Sequence, residues 1–233
     1  MSGSEPTGRL CVAVASEQGL VAEAVRASLS SRDFQASTLR WPGERQVGSR
    51  RSASDGADVG LMITDLDRWS RVRAASLLLT RVPLPWVVLT AAPSGPMWGA
   101  VLEAGARHVL PSSTGFDEVC DVVEVVARED LSTPALERER LIGQWDELLE
   151  RREVVGQRLQ TLTPREHEVL TMLYAGDPVA RIAQLLEVSP ATVRSQVKAV
   201  LRKLHVNTQL GAVAALDDLL EWEPMEQPVE LWA

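Results

Sequence analysis

Ser189-Pro-Ala-Thr-Val-Arg-Ser-Gln-Val-Lys-Ala-Val-Leu-Arg-Lys-Leu204 holds the only two lysines of the 233-residue chain, Lys198 and Lys203. From Ser189 through Leu216 there is no carboxylate, while Arg194, Lys198, Arg202 and Lys203 recur at helical intervals. Val193, Val197, Val200 and Leu201 fall on the opposite side of that helix, a spacing that buries one face and leaves Arg194, Ser195, Lys198 and Arg202 on the other. The whole chain carries a formal net charge of -8. A carboxylate-free basic face on such a chain is the electrostatic footprint that a polyanion requires. Because the remaining surface repels phosphate, nucleic-acid binding is expected to be local and specific.

Helix signals surround this stretch. Thr163-Pro-Arg-Glu166 reads as a capping box, followed by Val169, Leu170 and Leu173, so a helix starts at Pro164 and ends near Gly176. Ile182, Ala183, Leu185 and Leu186 make the next. Ser189 caps the third with Pro190 at its first position, and Leu210 to Leu220 forms the fourth. The motifs Leu162-Thr-Pro-Arg-Glu-His-Glu-Val-Leu170, Ile182-Ala183, Val188-Ser-Pro-Ala-Thr-Val-Arg194 and Leu201-Arg-Lys-Leu204 together resemble the LuxR/NarL-type helix-turn-helix over about sixty residues.

The resemblance implies that Ser189 to Leu204 enters the major groove of double-stranded DNA. Arg194 and Lys198, with Ser195 beside them, are then the candidates for base edges, and Thr192, Gln196, Arg202 and Lys203 for phosphates. Asp177-Pro-Val-Ala-Arg181 departs from the family, lacking its polar and basic residues, with Arg181 in place of its usual glutamate. Fewer phosphate contacts per copy imply two copies on paired half-sites. The family pairs its last helix, here with an apolar stripe at Ala212, Val213, Leu216 and Leu219 or Leu220; closure of the domain's own core is the competing use of those residues.

Upstream, from Arg9 to about Glu129, short apolar runs alternate with amphipathic stretches, the pattern of a parallel sheet wrapped by helices. Strands are predicted at Leu10 to Ala15, Phe34 to Trp41, Val59 to Thr64, Trp86 to Thr90 and His108 to Leu110, and helices at Leu20 to Leu29, Val72 to Leu79, Met97 to Ala104 and Phe116 to Ala127. The second of five βα units is weak, since Pro42 to Ala57 is rich in Gly, Ser and Arg and reads as a loop or frayed helix. Its arginines, with Arg40, Arg45, Arg50 and Arg51, are a candidate surface for anions or partner proteins, with a solvated loop as the default.

This order resembles a response-regulator receiver. The fold class is therefore an α/β flavodoxin-like (βα)5 receiver-like domain over 9–130 plus an all-α four-helix LuxR-type helix-turn-helix domain over 160–223. A linker helix over 131–159 joins them, and 224–233 is an acidic tail. A working receiver uses an acidic pair for Mg²⁺, a phosphoacceptor aspartate, a hydroxyl and a lysine, with metal and lysine offsetting the charge that develops in transfer. Asp65 occupies the aspartate position, near Asp67, and Thr90 the hydroxyl position. The acidic pair has become Ser16-Glu17 and the lysine position is Ser112; Arg107 and His108 are cations but are expected to precede the last strand. Mg²⁺ and ordinary phosphorylation are accordingly disfavoured. Asp65 is expected to be a relic whose carboxylate caps local backbone, and Ser16, Glu17, Asp65, Asp67, Thr90, Ala91 and Ser112 frame either a relic or a small-molecule site. Trp41, Trp69, Trp86 and Trp98 lie near the strand ends, as packing groups or as a rim for a flat ligand.

In the linker, Leu141, Trp145, Leu148, Val155 and Leu159 follow a near-heptad spacing with Arg152 at the missing position, which suits either a helix packed on its own receiver or output domain or a dimer-forming coiled coil; on the second reading Leu141, Trp145 and Leu148 join Ala212, Val213 and Leu216 as dimerisation candidates. Cys11 and Cys120 sit in apolar runs without metal spacing and read as buried thiols. Met1 to Arg9 is short and polar, unlike a signal peptide, and no apolar run is long enough for a bilayer, so a cytoplasmic protein without a membrane partner is expected. The expected function is a non-enzymatic, sequence-specific transcriptional regulator without a cofactor. It acts as a homodimer or as a heterodimer with a related regulator, and its pseudo-receiver answers to a ligand or partner protein. Two alternatives stay open, namely that phosphorylation at Asp65 still controls it, or that the chain is an interaction module that heterodimerises with or inhibits a related regulator.

Overall fold

A computed structural model describes residues 9–42, 56–128 and 131–220. The chain divides into two compact units between Asp146 and Glu147. In the first unit, β1 (Cys11–Ser16), α1 (Gly19–Ser30), β2 (Gln35–Leu39), β3 (Val59–Ile63), α2 (Trp69–Arg81), β4 (Trp86–Thr90), α3 (Pro96–Glu103), β5 (Ala106–Pro111) and α4 (Phe116–Arg128) follow in order. All strand pairs are parallel, in the order β2-β1-β3-β4-β5. This is the flavodoxin-like arrangement, in which the chain reverses its direction of travel across the sheet between β1 and β3 and opens a crevice beyond their carboxyl ends. The weak second unit falls mostly in 43–55, outside the described residues, as do Arg45, Arg50, Arg51 and the tail at 224–233.

The apolar runs of β1, β3 and β4 are buried on both faces because helices cover both sides of a parallel sheet. Val12, Val14, Val59, Leu61 and Val87 join Leu29 of α1 and Val119 and Val123 of α4 in one core cluster. Cys120 belongs to that cluster, and burial pushes its thiol pKa up; Cys11 is only half-buried. Gly60 is required within β3 because a Cβ there would lie 2.5 Å from two carbons of the Trp86 ring. Trp86 is fully buried and its Nε1 donates to the Val82 carbonyl at 2.9 Å.

α5 (Ala135–Gln160) is a single helix, whose residues up to Asp146 belong to the first unit and from Glu147 to the second. Its first half is fastened to α3 and β5. Thr133 N–H donates to the Arg107 carbonyl at 2.8 Å, and Arg138 donates to the Ala106 carbonyl at 3.0 Å and to the Leu102 carbonyl. Trp145 Nε1 donates to Glu103 at 2.8 Å, and its ring lies 5.4 Å from that of Trp69 at a tilt of 38°. Gly99 admits the close approach, since a Cβ there would lie 2.7 Å from the Leu141 carbonyl carbon. Leu141 and Trp145 are thus buried inside their own unit, so at these positions the near-heptad spacing serves the intramolecular packing that competed with a dimer seam. Leu148 is half-buried.

The second unit packs α6 (Pro164–Tyr174), α7 (Val179–Leu185), α8 (Pro190–Leu204) and α9 (Gln209–Leu220) with the end of α5. Leu170, Val200, Leu204, Ala212, Leu216 and Leu159 form one cluster, and Val169, Ile182, Ala183, Val193 and Val197 another. Leu201 contacts both. Ala212 and Leu216 are therefore core residues and not a free dimerisation stripe; Val213 keeps partial exposure. α6 ends at Gly176, whose φ of +87° lets Asp177 N–H reach the Met172 carbonyl and Gly176 N–H the Leu173 carbonyl, satisfying carbonyls that the helix end leaves open.

The capping box at α6 is present in full, with Glu166 N–H donating to Thr163 Oγ1 and Thr163 N–H donating to Glu166 Oε2 at 2.8 Å. Lys203 Nζ adds a 2.6 Å bond to the same Glu166 oxygen and a 3.0 Å bond to the Thr161 carbonyl. Burial works to raise the Glu166 pKa, but Lys203 and the Thr163 N–H outweigh it and hold the carboxyl below its ordinary 4.5. A carboxyl depressed by folding stabilises the fold fully above its unfolded pKa and loses that contribution as pH falls through the folded one. Acidification below about pH 4.5 is therefore expected to lower the urea midpoint of α-helical ellipticity less in Glu166→Gln than in wild type. Equal acid sensitivity of the two proteins counts against this role.

Candidate nucleic-acid interface and receiver pocket

α8 is the second helix of a helix-turn-helix formed with α7. Ser189 Oγ accepts from Thr192 N–H at 3.1 Å and lies 2.8 Å from the Thr192 hydroxyl, while Pro190 starts the helix at a position where no N–H is needed. Val193, Val197, Val200 and Leu204 are buried beneath it. Thr192, Arg194, Ser195, Lys198 and Arg202 are exposed together on the outer face, and Gln196 is half-buried. Among the described residues no ion pair involves Arg194, Lys198 or Arg202. Their charge is available to a polyanion.

Lys203 stands apart from that set. Its ammonium lies on Glu166, so it joins α8 to the start of α6 and is a structural cation, in place of the phosphate contact expected of it. Arg181 of α7 is exposed. Tyr174 Oη donates to Asp217 at 2.8 Å, tying α6 to α9.

In the first unit the carboxyl ends of the strands gather Ser16, Glu17, Asp65, Asp67, Thr90 and Ser112 as their positions require. Ser16 is buried and its Oγ accepts from Gln18 N–H at 3.2 Å. Thr90 is buried too, and its hydroxyl accepts from Leu66 N–H and Ala92 N–H, both at 3.2 Å, so it pins the loops after β3 and β4. Ser112 is exposed and its N–H donates to the Thr90 carbonyl at 2.8 Å. β5 already begins at Ala106, so Arg107 and His108 lie within its first half, away from this end; burial lowers the His108 pKa against a weaker opposing pull from Glu137.

Sequence reading missed the residue that organises this pocket. Arg71, in the first turn of α2, places Nε 2.9 Å from Glu17 and Nη1 2.8 Å from Asp67 and 3.8 Å from Asp65. The available signal was the short spacing from Asp67, just ahead of α2, to Arg71 in its first turn. Asp65 thus faces a guanidinium, where a backbone cap had been expected.

The guanidinium of Arg71 occupies the space among Glu17, Asp67 and Asp65 in which a hard cation such as Mg²⁺ would seek oxygen ligands. A divalent ion 4 Å from the guanidinium would also meet a repulsion of about 2 kcal/mol with the screening of water and about 8 kcal/mol at an effective dielectric of 20. The tryptophans do not form a ligand rim either. Trp41, Trp69 and Trp86 are buried, and the half-buried Trp98 donates Nε1 to the Ala92 carbonyl at 2.9 Å.

Residues 160–215 match the family described as bacterial regulatory proteins, luxR family, so the second unit is a luxR-family domain. Over most of its length the chain is also similar to curated transcriptional regulatory proteins. It is 28% identical over 165 residues to the probable transcriptional regulatory protein NarL of Mycobacterium tuberculosis, covering 71% of this chain and 67% of that one. It is 26% identical over 208 residues to the uncharacterized transcriptional regulatory protein YxjL of Bacillus subtilis, covering 88% and 94%. Among solved structures, the response regulator ChrA of a heme-sensing two-component system aligns over 92% of this chain and 99% of its own, with 21% identity and a TM-score of 0.43. No helix among the described residues is long and apolar enough to cross a membrane.

Proposed function

We propose that α8 reads paired half-sites in the major groove as part of a dimer, and that the receiver-like unit is a pseudo-receiver governed by a partner protein or small ligand instead of phosphoryl transfer to Asp65. The exposed, unneutralised triad Arg194, Lys198 and Arg202 on the capped helix carries the DNA reading. Arg194 and Lys198 with Ser195 serve base edges, and Thr192, Gln196 and Arg202 hold phosphates. For pairing, the outer face of α9 offers Leu210, 77% exposed, with Val213 and Ala214 one turn on.

Selection of bound duplexes from a random DNA pool with untreated full-length protein tests this reading. An enriched inverted repeat is expected. Enrichment only after addition of a related regulator assigns the chain to heterodimers, and no enrichment under either condition removes the DNA-reading proposal. Asp65→Asn is expected to leave the affinity for the selected site unchanged within about twofold, a difference of less than 0.5 kcal/mol. A larger loss restores phosphorylation at Asp65 as the control.

A further inference from the structure

The cation that this receiver pocket lacks at its lysine position is supplied by its own helix α2. The Arg71 side chain is 29% exposed and that of Glu17 is 18% exposed, so their contact is partly shielded, while Asp65 and Asp67 are about half exposed. A guanidinium presents several donors in one rigid plane, which allows it to engage carboxylates from two chain segments at once. Here one comes from the end of β1 and the others from the loop between β3 and α2. Burial alone would lower the Arg71 pKa, but Asp67, Glu17 and Asp65 together raise it above the ordinary arginine value.

We propose that Arg71 is the resident cation of the pocket, standing where a switching receiver places a divalent metal, and that it excludes such metals from Glu17, Asp65 and Asp67. A metal and a phosphoryl group come and go, whereas an arginine of the chain stays, so the pocket has one charge state. This deepens the pseudo-receiver reading and rests on it. Without the guanidinium, Glu17, Asp67 and Asp65 lose the cation they share, and a divalent cation can take its place by drawing their oxygens together.

The test uses full-length protein and Mn²⁺ as the probe, followed by calorimetry and by electron paramagnetic resonance. Wild type is expected to show no saturable site in the millimolar range. Arg71→Ala, and Arg71→Gln as the variant closest in length, are expected to gain one site at least about tenfold tighter, since the freed carboxylates are hard oxygen ligands. Adding Asp67→Asn is expected to remove the gain. Arg71→Lys retains a cation and is expected to stay closed. Saturable binding by wild type at the affinity of Arg71→Ala overturns the proposal, as does absence of Mn²⁺ uptake by Arg71→Gln with wild-type ellipticity. Incubating wild type with an acyl phosphate and reading its intact mass examines the underlying reading separately. A phosphoryl adduct on Asp65 sinks the pseudo-receiver, whatever the Mn²⁺ titrations give.

Discussion

Arg194→Glu combined with Lys198→Glu is expected to weaken binding to the selected duplex by about 100-fold or more, because each well-formed base contact is worth about 1–3 kcal/mol. The two residues lie one turn apart on the exposed face of α8, and among the described residues neither has an ion-pair partner to give up. Reversal therefore acts on the bound state, removing a favourable contact and setting a carboxylate against phosphate. A dimer doubles the penalty by carrying it in both half-sites. Fluorescence anisotropy at two salt concentrations, with ellipticity as the folding control, measures the loss. Binding within threefold of wild type would remove α8 from the DNA and favour the interaction-module reading.

Gly99→Ala is expected to destabilise the first unit by about 3 kcal/mol, in the range of a buried steric conflict. The sign makes this informative, because Ala in place of Gly inside a helix ordinarily stabilises by about 1 kcal/mol. At Gly99 the added methyl would meet the Leu141 backbone, which is fixed by Arg138 on the Ala106 and Leu102 carbonyls and by Trp145 on Glu103. Relief requires α5 to lift, exposing Leu141 and Trp145. Gly143 lies on the same helix α5 with nothing within 4 Å of its Cβ position, so Gly143→Ala serves as the control and is expected to stabilise. Urea unfolding of both variants settles the contact, and a stabilised Gly99→Ala protein would mean that α5 does not pack there.

The elements that sequence reading places well are those with local causes. β4 is predicted at its observed bounds because Trp86-Val-Val-Leu-Thr90 is an uninterrupted apolar run, and α6 starts at Pro164 because the capping box is written in Thr163 and Glu166. The basic face of α8 follows from its periodicity alone. What periodicity cannot convey is which partner covers a face. The spacing of Leu141 and Trp145 is the same whether a second chain or α3 lies opposite, and Ala212 and Leu216 suit either a dimer or a domain core. The long cations are misjudged for a related reason. Arg71 and Lys203 act through reach across the fold, to Glu17 and to Glu166, and distant pairs leave no mark in local sequence.

The contrast between Lys198, exposed, and Lys203, bonded to Glu166 and Thr161, has a practical side. They are the only side-chain amines in the chain. Acylating reagents thus have one open lysine target, and it lies on the helix face proposed to meet DNA. A single modification there erases a positive charge from the reading surface while leaving the amine that braces the domain untouched. Protection of Lys198 from such reagents in the presence of duplex is a direct occupancy gauge for the recognition helix, with Lys203 as its internal reference.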